Sequence, residues 1–239
     1  MAYKLSAVFL LGALAAMPSL HAEEFKQVQV TSTERVNFAP GGIVRLNNSY
    51  GDLSIEGWDQ PVVEITVIKS MPFNYQLKQP EQATQQLERV AIKADRRSDT
   101  ELAISTKLPS HNRFLSPTLS KTTSGGVGVQ YQVHVPRDSR LVIQHGAGVV
   151  SVTDVSGDIE ATVGRGDILL WLPPGSYSID AKTRLGVVSS EWEGAKLSQF
   201  VIGQRFTGGD PAPSHRLHLR MGFGGITVLR ILPESEATH

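Results

Sequence analysis

Gly148-Val149-Val150-Ser151-Val152, Gly157-Asp158-Ile159-Glu160-Ala161, Gly166-Asp167-Ile168-Leu169-Leu170 and Gly175-Ser176-Tyr177-Ser178-Ile179 repeat one local pattern, a glycine followed by a short alternating strand. Their glycines stand nine residues apart, and Gly186-Val187-Val188-Ser189-Ser190 follows after eleven. The pattern returns at Gly224-Gly225-Ile226-Thr227-Val228 and occurs once far upstream, at Gly51-Asp52-Leu53-Ser54-Ile55. A fixed period of turn residue plus strand marks a repeating β architecture. Nine residues at about 3.3 Å each leave room for one short strand and one turn. Glycine takes the backbone conformations that other residues avoid.

Side chains alternate along a strand, so the second, fourth and sixth residues after each glycine share a face. These are Val150, Val152 and Asp154; Ile159, Ala161 and Val163; Ile168, Leu170 and Leu172; Tyr177, Ile179 and Ala181; Val188, Ser190 and Trp192. Nearly all are apolar, whereas the opposite positions carry Ser151, Asp158, Glu160, Thr162, Asp167 and Asp180. One face is core and the other is wet. Leu169 and Trp171 break the rule by falling on the wet face, with Val149 and Val187 two repeats away on either side. Either another segment covers them, or Leu169, Trp171, Val149 and Val187 form an apolar interaction patch of the kind that marks binding sites.

Upstream, Phe25 to Ile68 reads as strands rich in β-branched residues. Pro80 to Val90 is the one helical stretch, with proline where a first turn tolerates it. Val90 to Ala94 and Glu101 to Ser105 make a hairpin with a long polar loop. Leu108 to Gly128 and Gly203 to Pro213 read as two long loops. The expected fold is therefore all-β: a glycine-punctuated β-solenoid or β-prism-like stack with one short helix at about 80–90 and two long loops. Residues 1–22 read as a signal peptide, with Lys4, an apolar run from Val8 to Met17 and a small residue at Ala22. A single β-repeat domain spans 23–233, irregular over about 25–140 and regular over about 141–231, and 234–239 is a frayed tail.

The 239 residues carry 23 basic and 23 acidic side chains, and this even balance speaks against nucleic acid as a partner. No cysteine is present, which leaves no thiol for lipid attachment. No later segment is apolar enough to span a bilayer as a helix. The chain is expected to be exported to the periplasm, the cell surface or the medium.

The stretch Gly51-Asp52-Leu53-Ser54-Ile55-Glu56-Gly57-Trp58-Asp59, the later Tyr131-Gln132-Val133-His134-Val135-Pro136 and the run of glycine-led strands resemble the "putative adhesin" β-strand-repeat family of bacterial envelopes. The resemblance covers about Phe25 to Ile231. It implies a repeat scaffold and a binding or structural role, and it supplies no catalytic residues. Gly148, Gly175 and Gly186 lack the Asp that follows in the pattern.

Other constellations have plainer readings. Arg165-Gly166-Asp167 spells a cell-adhesion tripeptide, but the repeat register already explains its Gly and Asp. Asp52, Asp158 and Asp167 evoke calcium β-rolls, yet six to eight oxygen ligands per ion are not in view, so they read as turn residues. His145, His215 and His218 have no metal-binding spacing and read as surface or cap histidines. No catalytic residue, metal ligand or cofactor is assigned. The expected role is a non-enzymatic structural or binding module of the cell envelope, its partner an envelope protein or a glycan. The alternative is a polysaccharide-active β-helix enzyme using Asp158, Glu160, Asp167 and Asp180, since glycoside hydrolysis needs paired carboxylates.

Overall fold

Alternation rich in Val, Ile and Thr forms strands wherever a pleated, half-buried surface can use it. In the computed structural model the described residues are 27–72, 84–85, 87–88, 91–107, 128–199 and 202–231. The leader, the tail and residues 108–127 of the first expected loop lie outside them. So does most of the expected helix, of which Thr84, Gln85, Leu87 and Glu88 are helical and Leu87 is fully buried.

In chain order the strands are β1 (Gln27–Asn37), β2 (Ile43–Asn48), β3 (Asp52–Trp58), β4 (Val62–Pro72), β5 (Ala91–Ser98), β6 (Glu101–Lys107) and β7 (Gly128–Pro136). Then come β8 (Arg140–Thr153), β9 (Ile159–Leu172), β10 (Tyr177–Leu185), β11 (Val188–Ser190), β12 (Gly194–Gln199), β13 (Gly203–Gly209) and β14 (His215–Arg230). Among the described residues all belong to one open, mixed sheet, ordered β1-β4-β7-β3-β8-β9-β14-β10-β13-β12; β2, β5, β6 and β11 branch from this path.

The centre of the sheet is parallel. Leu141 of β8 lies opposite Ile159 of β9, which lies opposite Leu217 of β14, which lies opposite Ile179 of β10. Each of these rungs has two limbs. The last inward residue of the first limb and the first of the second are always five positions apart: Asn48 to Leu53, His145 to Val150, Val163 to Ile168, Met221 to Ile226, Thr183 to Val188. Five is odd, so simple alternation cannot keep both residues on the core side. The backbone makes the correction at one glycine per rung. Gly51, Gly148, Gly166, Gly224 and Gly186 have φ between +111° and +137°, values that glycine adopts without strain. They stack: an added Cβ on Gly166 would lie 1.9 Å from the Gly148 carbonyl oxygen, and one on Gly224 would lie 1.6 Å from that of Gly166.

The repeat glycines are thus of two kinds. Gly148, Gly166 and Gly186 are corners at positive φ, while Gly157 and Gly175 sit in the connections between long strands. The inward set foreseen from alternation is buried apart from Asp154 and Ser190, and residues of both limbs join one hydrophobic cluster. Full burial of a Leu or Ile side chain contributes about 1.5–3 kcal/mol.

Three expectations need correction. A sequential stack would set β10 beside β9, but β14 occupies that place and β10 follows it; any rung with the same inward pattern and corner glycine can fill that slot. Gly203 to Pro213 is not one long loop, because its first seven residues are β13, antiparallel to β10, with Phe206 buried opposite Ala181. Its glycines disguise a strand. The hairpin β5–β6 closes at Asp99-Thr100 rather than through a long loop.

Candidate functional site

The registers of β9, β14 and β10 bring distant residues into outward-facing rows. Glu160, His218 and Asp180 form one row, and Thr162, Arg220 and Lys182 form the next. One outward step further, the positions hold Gly164, Gly222 and Arg184. Two of these three lack side chains, and an added Cβ on Gly222 would lie 2.3 Å from the Gly164 carbonyl oxygen. The result is an open groove of about 810 Å³, continued by Ile202, Gly203 and Phe223. That volume falls within the range of small-molecule sites, roughly 300–1,000 Å³.

Two exposed apolar side chains line it, Ile202 at 59% and Phe223 at 46% exposure. Arg165 lies over the Phe223 ring, its guanidinium carbon 5.9 Å from the centroid. Among the described residues three cations line the groove and no carboxylate does. Arg220 is already engaged: it donates to Asp180 Oδ2 at 2.6 Å and to the Asp180 and Leu219 carbonyls, both at 2.9 Å. Burial works to raise the Asp180 pKa, but hydrogen bonds from Arg220 and Arg205 prevail and hold it below the usual carboxylate range. Lys182 and Arg184 make no ion pair with any described residue. They are two residues apart on one strand, so both point outward.

A smaller pocket of about 210 Å³ lies over Ser54, Glu56, Gln132 and His134. His134 sits 3.6 Å from both Glu56 and Glu64 and stacks on Trp58 at 5.0 Å, so its chemistry is absorbed locally.

Contrary to the surface reading, His145 is buried, with 4% exposure. It is the last inward residue of its limb, and neither ring nitrogen has a hydrogen-bond partner among the described residues. Desolvation is the largest influence and lowers its pKa, and the charge of Asp52 opposes it. Asn48, opposite it on β2, accepts a hydrogen bond from Thr106 at 3.1 Å. His215 is half-buried against Tyr177, and His218 is exposed with Nδ1 3.6 Å from Asp180. No group of three His, Asp or Glu among the described residues is placed to hold a metal ion.

Leu169 and Trp171 are half-buried on the outer face, with Ser151 and Thr153 of β8 on one side and Thr227 and Leu229 of β14 on the other. Val149 is half-buried beside Asp167, and Val187 is 61% exposed. Asp167 and Gly225 lie in the column between Val149 and Val187, and none of the four residues lines the groove. The aspartates after repeat glycines serve neighbouring rungs. Asp52 accepts from the Val149 amide at 3.0 Å, Asp158 from Arg216 at 2.8 Å and Asp167 from Gly225 at 2.8 Å. All three residues of the Arg-Gly-Asp tripeptide are therefore engaged within the fold. Lys182, Arg184 and Ile202 carry no local signal in the sequence: the β9–β14–β10 register brings Lys182 and Arg184 to the paired glycines, and the pairing of β13 with β10 brings Ile202 beside them.

No helix among the described residues is long and apolar enough to cross a membrane. No family model matches the chain, and no curated protein does. Among solved structures it is similar to one described as a "putative cell adhesion protein" from Clostridium sporogenes, at 14% identity and TM-score 0.48, covering 84% of this chain and all of that one. A "putative adhesin" from Bacteroides fragilis is 10% identical with TM-score 0.24, covering 84% and 97% of the two chains. A "putative lipid binding protein" from Parabacteroides distasonis gives 10%, 0.25 and the same coverages. Likenesses this distant carry no argument about what the groove receives.

Proposed function

We propose that this chain is an exported, non-enzymatic binding module of the cell envelope, adhesin-like in its scaffold, that takes its ligand in the groove across β9, β14 and β10. The scaffold is a single β domain over 23–233 whose parallel rungs stack in solenoid fashion. Its signal peptide over 1–22 delivers it to the periplasm, the surface or the medium. One observation carries the reading: exposed Ile202 and Phe223 converge with Lys182 and Arg184 on one recess, and the ion pairs among the described residues do not use these two cations. Folding alone gives no reason to gather exposed apolar surface and uncompensated charge at one place. The Leu169 and Trp171 face, with Val149 and Val187, is a secondary contact surface in this reading.

A photo-crosslinking residue placed at Ile202 in intact cells tests the proposal. A defined adduct is expected at 202 and none at Thr31 on exposed β1, with the protein recovered from the envelope or medium. Equal labelling at both positions, or a cytoplasmic protein, would contradict it.

A further inference from the structure

The geometry points to a ligand class for this groove: a single anionic amphiphile, one acyl or alkyl chain ending in a phosphate or carboxylate, bound as a monomer. The inference rests on the binding-module reading above and deepens it.

Lys182 and Arg184 project from the same side of β10 at a separation of about 7 Å, close enough for both to meet one head group. Arg220 stands beside Lys182 in register and shares Asp180 with Arg205, so Lys182 and Arg184 are the groove cations with no carboxylate partner among the described residues. Arg guanidinium and Lys ammonium form their strongest hydrogen bonds with anionic oxygens. Exposed apolar surface enters the same recess from Ile202 and Phe223: Phe223 lies opposite Leu185, next to Arg184, and Gly203, next to Ile202, abuts the Arg184 backbone. The floor of the recess runs past Gly164 and Gly222, where bare backbone lets a thin chain lie close.

The recess also discriminates among occupants. A planar bilayer would touch the rim residues Ile202 and Phe223 but could not reach the glycine floor. A nucleic acid needs many phosphate contacts, and two cations beside an apolar trough do not supply them. A neutral glycan would leave Lys182 and Arg184 without a partner. An alkyl chain with an anionic head satisfies the cations and the apolar surface together.

The test is isothermal titration of the purified protein with dodecyl phosphate, dodecanoate and dodecyl maltoside, each below its critical micelle concentration, and with anionic phospholipid vesicles. The two anionic probes are expected to bind saturably at one site and more tightly than the maltoside. Lys182→Ala/Arg184→Ala should weaken both anionic probes by about tenfold or more and leave the maltoside unchanged. Ile202→Ser/Phe223→Ser should weaken all three. These four positions are exposed or half-buried, and circular dichroism with a urea midpoint confirms that each variant is folded. The inference is overturned if the maltoside binds as tightly as dodecyl phosphate, if the double alanine variant keeps full affinity, or if only vesicles bind. A crosslink at Ile202 to an envelope protein or glycan, without amphiphile binding, would sink this ligand class and leave the binding-module reading standing. Loss of both would sink both.

Discussion

Gly166 shows how narrowly single residues hold this architecture. Its φ of +126° and the 1.9 Å approach of a hypothetical Cβ to the Gly148 carbonyl leave no room for a side chain. Gly166→Ala should lower stability by about 3 kcal/mol or more, from backbone strain and the forced separation of β8 from β9. Gly225→Ala, where an added Cβ would meet the Asp167 carboxylate at 3.1 Å and the Val187 carbonyl at an ordinary 3.9 Å, should cost clearly less. Urea denaturation of the two variants checks the contrast. His145 yields a second expectation. Its folded pKa lies below the ordinary value because burial disfavours the imidazolium, so below about pH 6.5 the unfolded chain binds the extra proton first. The stability is present above that pH and is lost as pH falls toward the folded pKa. His145→Leu should therefore lose less stability than the parent between pH 7 and pH 5, measured by urea midpoints. Identical pH profiles would remove His145 from the account. Burial of Val150, Ile159, Ile168 and Ile179 was legible from their distance to the preceding glycine. His145 was not, because a polar residue at the end of a limb reads equally well as surface.

At the scale of elements, alternation located the strands but not their partners. The glycine-led pattern is nearly the same in β9, β10 and β14, so nothing local says that β14 enters between the other two. That choice is made by pairing across more than fifty residues, as in Leu217 opposite Ile159. Burial of Leu219 is complete, and Leu219→Ala should cost about 2–5 kcal/mol. The same order governs local opening. β9 and β14 are each paired on both sides, whereas among the described residues β1 pairs only with β4, and β12 only with β13. Amide hydrogen exchange should be fastest in β1 and β12 and slowest in β9 and β14. Comparable protection in β1 and β9 would contradict the strand order. β13 is hidden in the sequence for a different reason: its three glycines read as loop, although Phe206 and the antiparallel pairing to β10 make it a strand.

For the whole molecule, the parallel rungs do more than enclose a core. They set outward positions from three strands side by side, so that a column interrupted by glycine becomes a recess flanked by charge. The apolar anomalies visible in the sequence, Leu169 and Trp171, lie half-buried elsewhere on the face, and the groove residues carry no local signature. The central claim is that this recess, and not the Leu169–Trp171 face, receives the ligand. Amide chemical-shift mapping of the protein titrated with dodecyl phosphate tests it most directly. Saturable shifts are expected to cluster at Gly164, Lys182, Arg184, Gly222 and Phe223 and to disappear in Lys182→Ala/Arg184→Ala. Shifts centred on Leu169 and Trp171, or no saturable shift anywhere, would contradict it.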